Sequence, residues 1–161
     1  MFQMHRIFCA TPWELETERY RFYDVVGRFN EVAAIQKGIL FVPVALTNVM
    51  DKRPLQYTVD QNICDCRHYI LLLQENWGPE ARNFRHDYQL ALRCVDDPAL
   101  PMHSVAVFAK RDPAGPPPAE GLPEPRATFS TLTEFDDSIT ALLSEWLVSL
   151  AGEAGTASNA G

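Results

Sequence analysis

The sequence contains no uninterrupted run of about 18 apolar residues, the length that a membrane-spanning helix requires. Residues 1–6 lack the apolar stretch and the small-residue cleavage site of a secretory signal peptide. The four cysteines are spread along 161 residues, and a chain of this length forms a core without a disulfide framework. We therefore expect a cytoplasmic protein with reduced thiols and no membrane partner.

Basic residues are scarce in the last third of the chain. The formal net charge is −7, from 14 Lys and Arg against 21 Asp and Glu. Residues 1–111 carry 13 charges of each sign, so the whole excess lies in residues 112–161, where Arg126 stands against eight acidic residues. Nucleic-acid-binding proteins usually show a basic patch or stripe. The charge pattern therefore predicts no nucleic-acid partner.

Several motifs of cofactor and metal chemistry are also missing. The junction after the first predicted strand has no glycine, which both the dinucleotide fingerprint and the P-loop need there. No serine lies in a Gly-x-Ser-x-Gly nucleophile elbow. Cys64, Cys66 and His68 look like metal ligands, but residues two apart on a helix point away from each other. The sequence predicts neither a metal site nor a cofactor.

Short apolar segments alternate with amphipathic ones along the chain. The segments that predict strands are residues 4–10, 39–46, 68–73, 104–109 and 129–135. Helical spacing predicts helices after Thr11, near residues 58–66, over 80–95 and from 136 to 150. This alternation predicts a parallel sheet covered by helices on both faces.

We expect one domain over residues 1–151, followed by a disordered tail at 152–161. Residues 112–126 hold six of the 12 prolines and predict an extended, exposed loop within that domain. Pro43 cannot donate to a ladder and suggests that the second strand lies at a sheet edge.

The helix starts carry two candidate capping boxes. Thr11 is the expected N-cap of the first helix, with Pro12 as its first residue and Glu14 completing the box. Thr58 and Gln61 form the second candidate box.

Ligands of such folds bind beyond the carboxyl ends of the strands. That rule selects residues 9–12, 46–48, 74–79 and the chain from Lys110 onward. Thr11 and the free N–H groups of a helix start could hold a phosphate or carboxylate, or Thr11 could be a simple cap. Trp77 could cover a base or could cap the core.

Asp87 is the carboxylate with the most informative position, near a helix start after the third strand. Its neighbours Arg85 and His86 could tune its pKa or bind an anion. Alternatively, Asp87 is a first-turn acid that favours the helix dipole.

Four segments carry motifs that occur together in one group of proteins. Residues 8–19 combine a strand end with a Thr-x-x-x-Leu-x-x-Glu-Arg helix start, and residues 63–73 combine a helix end rich in Cys and Asp with a strand. Residues 77–78 form a Trp-Gly turn, and residues 87–91 resemble a Glu-x-x-x-Ala helix. Together they resemble an uncharacterised domain family of the TIR-like and nucleoside 2-deoxyribosyltransferase-like superfamily, over about residues 4–110.

The resemblance implies a flavodoxin-like three-layer sandwich with five parallel strands in the order 2-1-3-4-5. It also implies chemistry at an N-glycosidic bond, performed by a glutamate at the position that Asp87 matches. The ligand-binding positions implied at the strand ends are Thr11, Glu75, Asn76, Trp77, Gly78 and Arg85.

Two functions follow from this resemblance. The first is a signalling or defence-type module that binds a nucleotide-like ligand, a protein partner or a second copy of itself, without catalysis. The second is a nucleosidase, NAD-cleaving enzyme or deoxyribosyltransferase that uses Asp87. We favour the first, because aspartate is one methylene shorter than glutamate and catalytic placement is sensitive to about 1 Å.

Overall fold

The computed structural model describes residues 1–45, 56–80 and 82–159, with the backbone alone for 156–159. Its five strands form one sheet in the order β2-β1-β3-β4-β5, and every neighbouring pair is parallel. The strands are β1 (Gln3–Ala10), β2 (Ile39–Val44), β3 (His68–Leu73), β4 (Ser104–Lys110) and β5 (Ala127–Phe129). The α-helices are α1 (Glu16–Phe29), α2 (Gln56–Cys64), α3 (Phe84–Asp96) and α4 (Leu132–Asn159). The predicted flavodoxin-like three-layer fold is confirmed.

Alternate residues of the central strands point to opposite faces of the sheet and form two cores. Ile70 and Leu72 of β3 pack with apolar residues of α1 and α4. Tyr69 and Leu71 of the same strand pack with residues of α2 and α3. All six residues of β3 are buried, which fits a central strand covered by helices on both sides.

Strand β2 lies at the edge of the sheet, where Pro43 was expected. Pro43 pairs in register with Ile7 of β1, and the part of the chain that the structure describes places no strand on the other side of β2. The buried Asn30 secures this edge, because its amide accepts from the Phe41 N–H and donates to the Phe41 carbonyl, both at 2.9 Å. Residue 46, the predicted end of the strand, lies outside the described residues.

Both predicted capping boxes are wrong. Pro12 has extended backbone angles (φ −56°, ψ 147°), so a 3₁₀ turn over Trp13–Leu15 begins after it and receives no side-chain cap. Helix α2 already includes Gln56, so Thr58 lies inside it, where its carbonyl accepts from the Asn62 side chain at 2.8 Å.

The last strand and helix are also displaced from the prediction. Strand β5 ends at Phe129 because α4 begins at Leu132, well before the expected start at residue 136. The Thr131 hydroxyl accepts from the Glu134 N–H at 3.1 Å, and the Glu134 carboxylate accepts from the Ser130 N–H at 2.8 Å. The first bond satisfies a free N–H donor of the first helical turn, and the second holds the residue before the cap, so residues 131 and 134 form the cap.

Helix α4 continues to Asn159, in contrast to the disordered tail expected over residues 152–161. The guanidinium of Arg67 lies 2.9 Å from the Glu153 carboxylate, which ties this extension to the start of β3. Residues 112–126 contain turns but neither helix nor strand, and most are exposed. No helix within the described residues is long and apolar enough to cross a membrane.

Candidate functional site

The turn that follows β3 packs against the end of β1. Gly78 has a φ of +86°, and a Cβ placed on it would lie 3.4 Å from both Pro12 and Phe84. Glycine adopts this left-handed conformation without strain. The positive φ therefore gives Gly78 a structural role in this turn, at the sheet edge where ligands of this fold bind.

Polar and aromatic contacts hold this turn from within. The Asn76 side chain accepts a hydrogen bond from the Gly78 N–H at 2.8 Å. The half-buried Trp77 ring lies 5.9 Å from the Tyr88 ring and packs against the core beneath α2 and α3. Trp77 thus covers the core, which was one of its two predicted roles.

The Thr11 hydroxyl faces a buried thiol. Its Oγ1 lies 3.4 Å from the Cys9 Sγ, and burial raises the pKa of Cys9 to about 12. A thiol with so high a pKa stays protonated at neutral pH and is a poor nucleophile.

A cleft of about 370 Å³ opens at the carboxyl ends of β3, β4 and β5. Its lining residues are Gln74, Glu75, Lys110, Arg111, Asp112, Pro113 and Ser130. The amide N–H of Ala119, in the proline-rich loop, donates to the Glu75 carbonyl at 2.6 Å, so this loop adjoins the cleft. The predicted ligand edge therefore carries a cavity, but on the β3–β5 side of the sheet.

The two cations of this cleft are anchored differently. Lys110 places its Nζ 2.6 Å from the carboxylate of Glu18, which is only 2% exposed. Arg111 donates through Nη1 to the carbonyls of Gln74 and Lys110. Among the described residues, the Nε and Nη2 groups of Arg111 have no protein acceptor. Arg111 is thus held in place while part of its donor fork stays available.

Asp87 lies away from this cleft and is completely buried. Its Oδ1 accepts from Gln56 Nε2 at 2.9 Å, and its Oδ2 lies 3.3 Å from the Arg82 guanidinium. Burial raises the pKa of Asp87, while the Gln56 hydrogen bond and the Arg82 charge oppose that shift. Asp87 is therefore a perturbed carboxyl group, which is typical of functional sites and also of buried ion pairs.

A second carboxylate and a histidine complete the surroundings of Asp87. The Asp60 carboxylate lies 3.2 and 3.3 Å from His86 Nε2, and Gln56 Nε2 donates to it at 2.7 Å. The sequence did not single out Gln56 or Asp60. Their spacing of four places both on one face of α2, but the pairing of α2 with α3 depends on tertiary packing.

The structure thus places the predicted site residues in four separate locations. Glu75 lines the cleft, and Asp87 lies between α2 and α3. Thr11 lies at the β1 end, near the turn formed by residues 76–78. Arg85 is exposed and has no hydrogen bond or ion pair with any described residue. The candidate segment 46–48 lies outside the described residues.

Comparison with solved structures finds a distant similarity. The chain is similar to a flavoprotein of known structure from Thermotoga maritima, with 15% sequence identity and a TM-score of 0.47. The alignment covers 89% of this chain and 36% of that protein, so the chain spans about a third of its length. No family model matches the chain, and neither does any curated protein. The sheet order and the two helical layers define a flavodoxin-like α/β domain.

Proposed function

We propose that this chain is an α/β module that binds an anionic, nucleotide-like ligand in the cleft between the ends of β3, β4 and β5, without chemistry at Asp87. The observation that carries this proposal is the anchored Arg111 in a cleft at the carboxyl edge of the sheet. Parallel α/β sheets bind ligands at this edge. The superfamily resemblance supports the same ligand class and suggests a cytoplasmic signalling or defence role.

The size of the cleft suits a small ligand. Ligand pockets usually enclose about 300–1,000 Å³, and this cleft encloses about 370 Å³. The volume of a nucleoside monophosphate is closer to the volume of this cleft than the volume of a dinucleotide is. The cleft therefore favours a single nucleotide-like unit.

The charges around the cleft favour a ligand with few negative charges. Glu18 already compensates the charge of Lys110, whereas Arg111 forms no ion pair with a carboxylate among the described residues. Glu75 and Asp112 line the same cleft and are suited to accept hydrogen bonds from sugar hydroxyls or amino groups. A monophosphate or carboxylate attached to a hydroxyl-rich group fits this distribution better than a triphosphate does.

Calorimetric titration with a panel of nucleoside monophosphates tests the proposal. Arg111→Lys keeps the charge but removes the planar donor fork, so we expect it to weaken binding about tenfold or more. Arg85→Lys is the matched control, since Arg85 is exposed and lies outside the cleft. The proposal fails if no nucleotide binds, or if both variants bind as the unmodified chain does.

A second candidate function is cleavage at an N-glycosidic bond by Asp87. The observation that favours it is the raised pKa of this buried carboxyl group beside Arg82 and His86. Incubation with NAD and a nucleoside panel, for the unmodified chain and Asp87→Asn, tests it by release of free base. Equal rates of base release in the two proteins would exclude a catalytic role of Asp87.

A further inference from the structure

A mixed cluster of one imidazole and two carboxylates lies between helices α2 and α3. One ligand-type atom from each of Asp60, His86 and Asp87 lies within 4.8 Å of the others. Asp87 is buried, whereas Asp60 and His86 are about one third exposed. The cluster therefore combines a fixed inner carboxylate with two outer groups that an ion from solvent can reach.

Gln56 occupies the centre of this cluster. Its Nε2 lies 2.7 Å from Asp60 Oδ1 and 2.9 Å from Asp87 Oδ1, which are distances at which two ligands of one ion lie from each other. The two ends of a side-chain amide have nearly the same shape. Rotating the amide by half a turn places Oε1 at the position of Nε2, which converts Gln56 from a donor into a metal ligand.

The two oxygens of Asp87 have separate partners. Oδ2 lies 3.3 Å from the Arg82 guanidinium, while Oδ1 points at Gln56. Metal-binding carboxylates are commonly held by a hydrogen bond to the atom that does not bind the metal. Arg82 provides such a contact here and leaves Oδ1 for an ion.

A buried hydroxyl beneath the cluster lacks a partner. The Tyr69 side chain is completely buried on the β3 face that packs against α2 and α3, and its hydroxyl makes no hydrogen bond to any described residue. Of the neighbouring charges, that of Asp87 acts on this hydroxyl most strongly. A buried hydroxyl without a partner is costly. A water bound to an ion beside Asp87 would give it one.

We propose that Asp60, His86 and Asp87 bind a divalent transition-metal ion, with Gln56 Oε1 as a fourth ligand. Imidazole together with carboxylate oxygens suits Zn²⁺ or Mn²⁺ better than Mg²⁺ or Ca²⁺, which prefer oxygen alone. Neighbouring ligands about 2.1 Å from an ion with four to six ligands lie about 3.0–3.4 Å apart, and a five- or six-coordinate ion also holds a water. The 3.2 and 3.3 Å separations of His86 Nε2 from the Asp60 oxygens are close to that spacing. This site is separate from the nucleotide cleft and does not depend on it.

Titration of the chelator-treated protein with ZnCl₂ and MnCl₂, followed by calorimetry, tests this site directly. A parallel titration with CoCl₂ gives a visible absorption spectrum of the bound Co²⁺, and this spectrum shows whether the ligand atoms are nitrogen and oxygen. We expect Asp60→Asn and His86→Asn each to weaken binding at least about tenfold, because each removes a ligand. His103→Asn is the control, since His103 is a half-exposed histidine outside the cluster, and it should leave binding unchanged.

The Gln56→Glu variant distinguishes a metal site from a hydrogen-bond network that has only a structural role. In the absence of metal, a third carboxylate destabilises the fold by repulsion, so the melting temperature falls. With Zn²⁺ present, the same carboxylate is a stronger ligand, so the affinity rises and the melting temperature recovers. The proposal is overturned if neither the unmodified chain nor Gln56→Glu binds metal at millimolar concentration. It is also overturned if Asp60→Asn and His86→Asn bind metal as tightly as the unmodified chain.

Discussion

His68 is predicted to make the fold sensitive to acid. Its ring is 1% exposed and stacks on Trp146 with centroids 3.8 Å apart and planes 10° from parallel. Its Nδ1 lies 2.7 Å from the Ser104 hydroxyl, and its Nε2 has no partner among the described residues. Burial lowers the pKa of His68 to about 2, helped by the charges of Arg67 and His103.

The direction of the effect follows from proton linkage. In the unfolded chain His68 has its ordinary pKa of 6.5, whereas in the folded chain the pKa is about 2. The unfolded state therefore binds a proton that the folded state rejects, and stability falls as the pH drops below 6.5. Between a pH of about 7.5 and a pH of about 5, the loss amounts to about 2 kcal/mol of unfolding free energy.

Urea unfolding of the unmodified chain and of His68→Phe across this pH range measures the loss. Phenylalanine keeps a flat ring against Trp146 but does not titrate, so the variant should lose about 2 kcal/mol less on acidification. The other histidines, His5, His86 and His103, are present in both proteins and largely cancel in the comparison. Parallel pH profiles for the two proteins would refute the reasoning.

Three further predictions concern the stability and redox chemistry of the fold. Gly78→Ala should lower the unfolding free energy by about 1–2 kcal/mol in urea because of its positive φ, whereas Gly27→Ala, in an open helical position, should raise it by about 0.5–1 kcal/mol. Asn30→Ala should cost about 2–3 kcal/mol in the same assay, because it removes two buried hydrogen bonds to the backbone of β2. The Sγ atoms of Cys64 and Cys94 lie 3.4 Å apart, so hydrogen peroxide that oxidises the partly exposed Cys64 to a sulfenic acid should give a disulfide with Cys94 and release water. Burial raises the pKa of Cys94 to about 12, so this step should be slow at neutral pH; peptide mass mapping detects the disulfide, which should be absent from Cys64→Ser.

The strands of the sheet could be predicted because each one is indicated by a short, continuous segment of the sequence. A continuous apolar run such as residues 68–73 indicates a strand buried on both faces, and β3 has these bounds in the structure. The order of the strands came from the family resemblance, which spacing alone could not supply. The helix starts were less predictable, because the extended angles of Pro12 and the bonds of Thr131 and Glu134 depend on how the chain enters each helix.

The candidate site was predicted as one cluster, but its members occupy different places. The rule that ligands bind at strand ends selected Glu75 and Lys110, and both residues line a cleft in the structure. It could not show that Asp87 points away from that cleft, toward Gln56 of another helix. Gln56 and Asp87 lie 31 residues apart in the sequence, so no local pattern indicates that their side chains are in contact. The orientation of a helix about its axis had to come from the structure.

The structure shows where the acidic residues of the C-terminal third find basic partners. Asp136 forms a bidentate pair with Arg21, and Glu153 contacts Arg67, so some of these charges pair with basic residues of the neutral core. Surface ion pairs contribute about 0–1 kcal/mol each, so they orient α4 more than they stabilise it. Apolar burial contributes more to stability, as the buried Leu142, Leu143 and Leu147 of α4 illustrate. A basic partner at this end of the chain would compete with arginines that already hold these carboxylates.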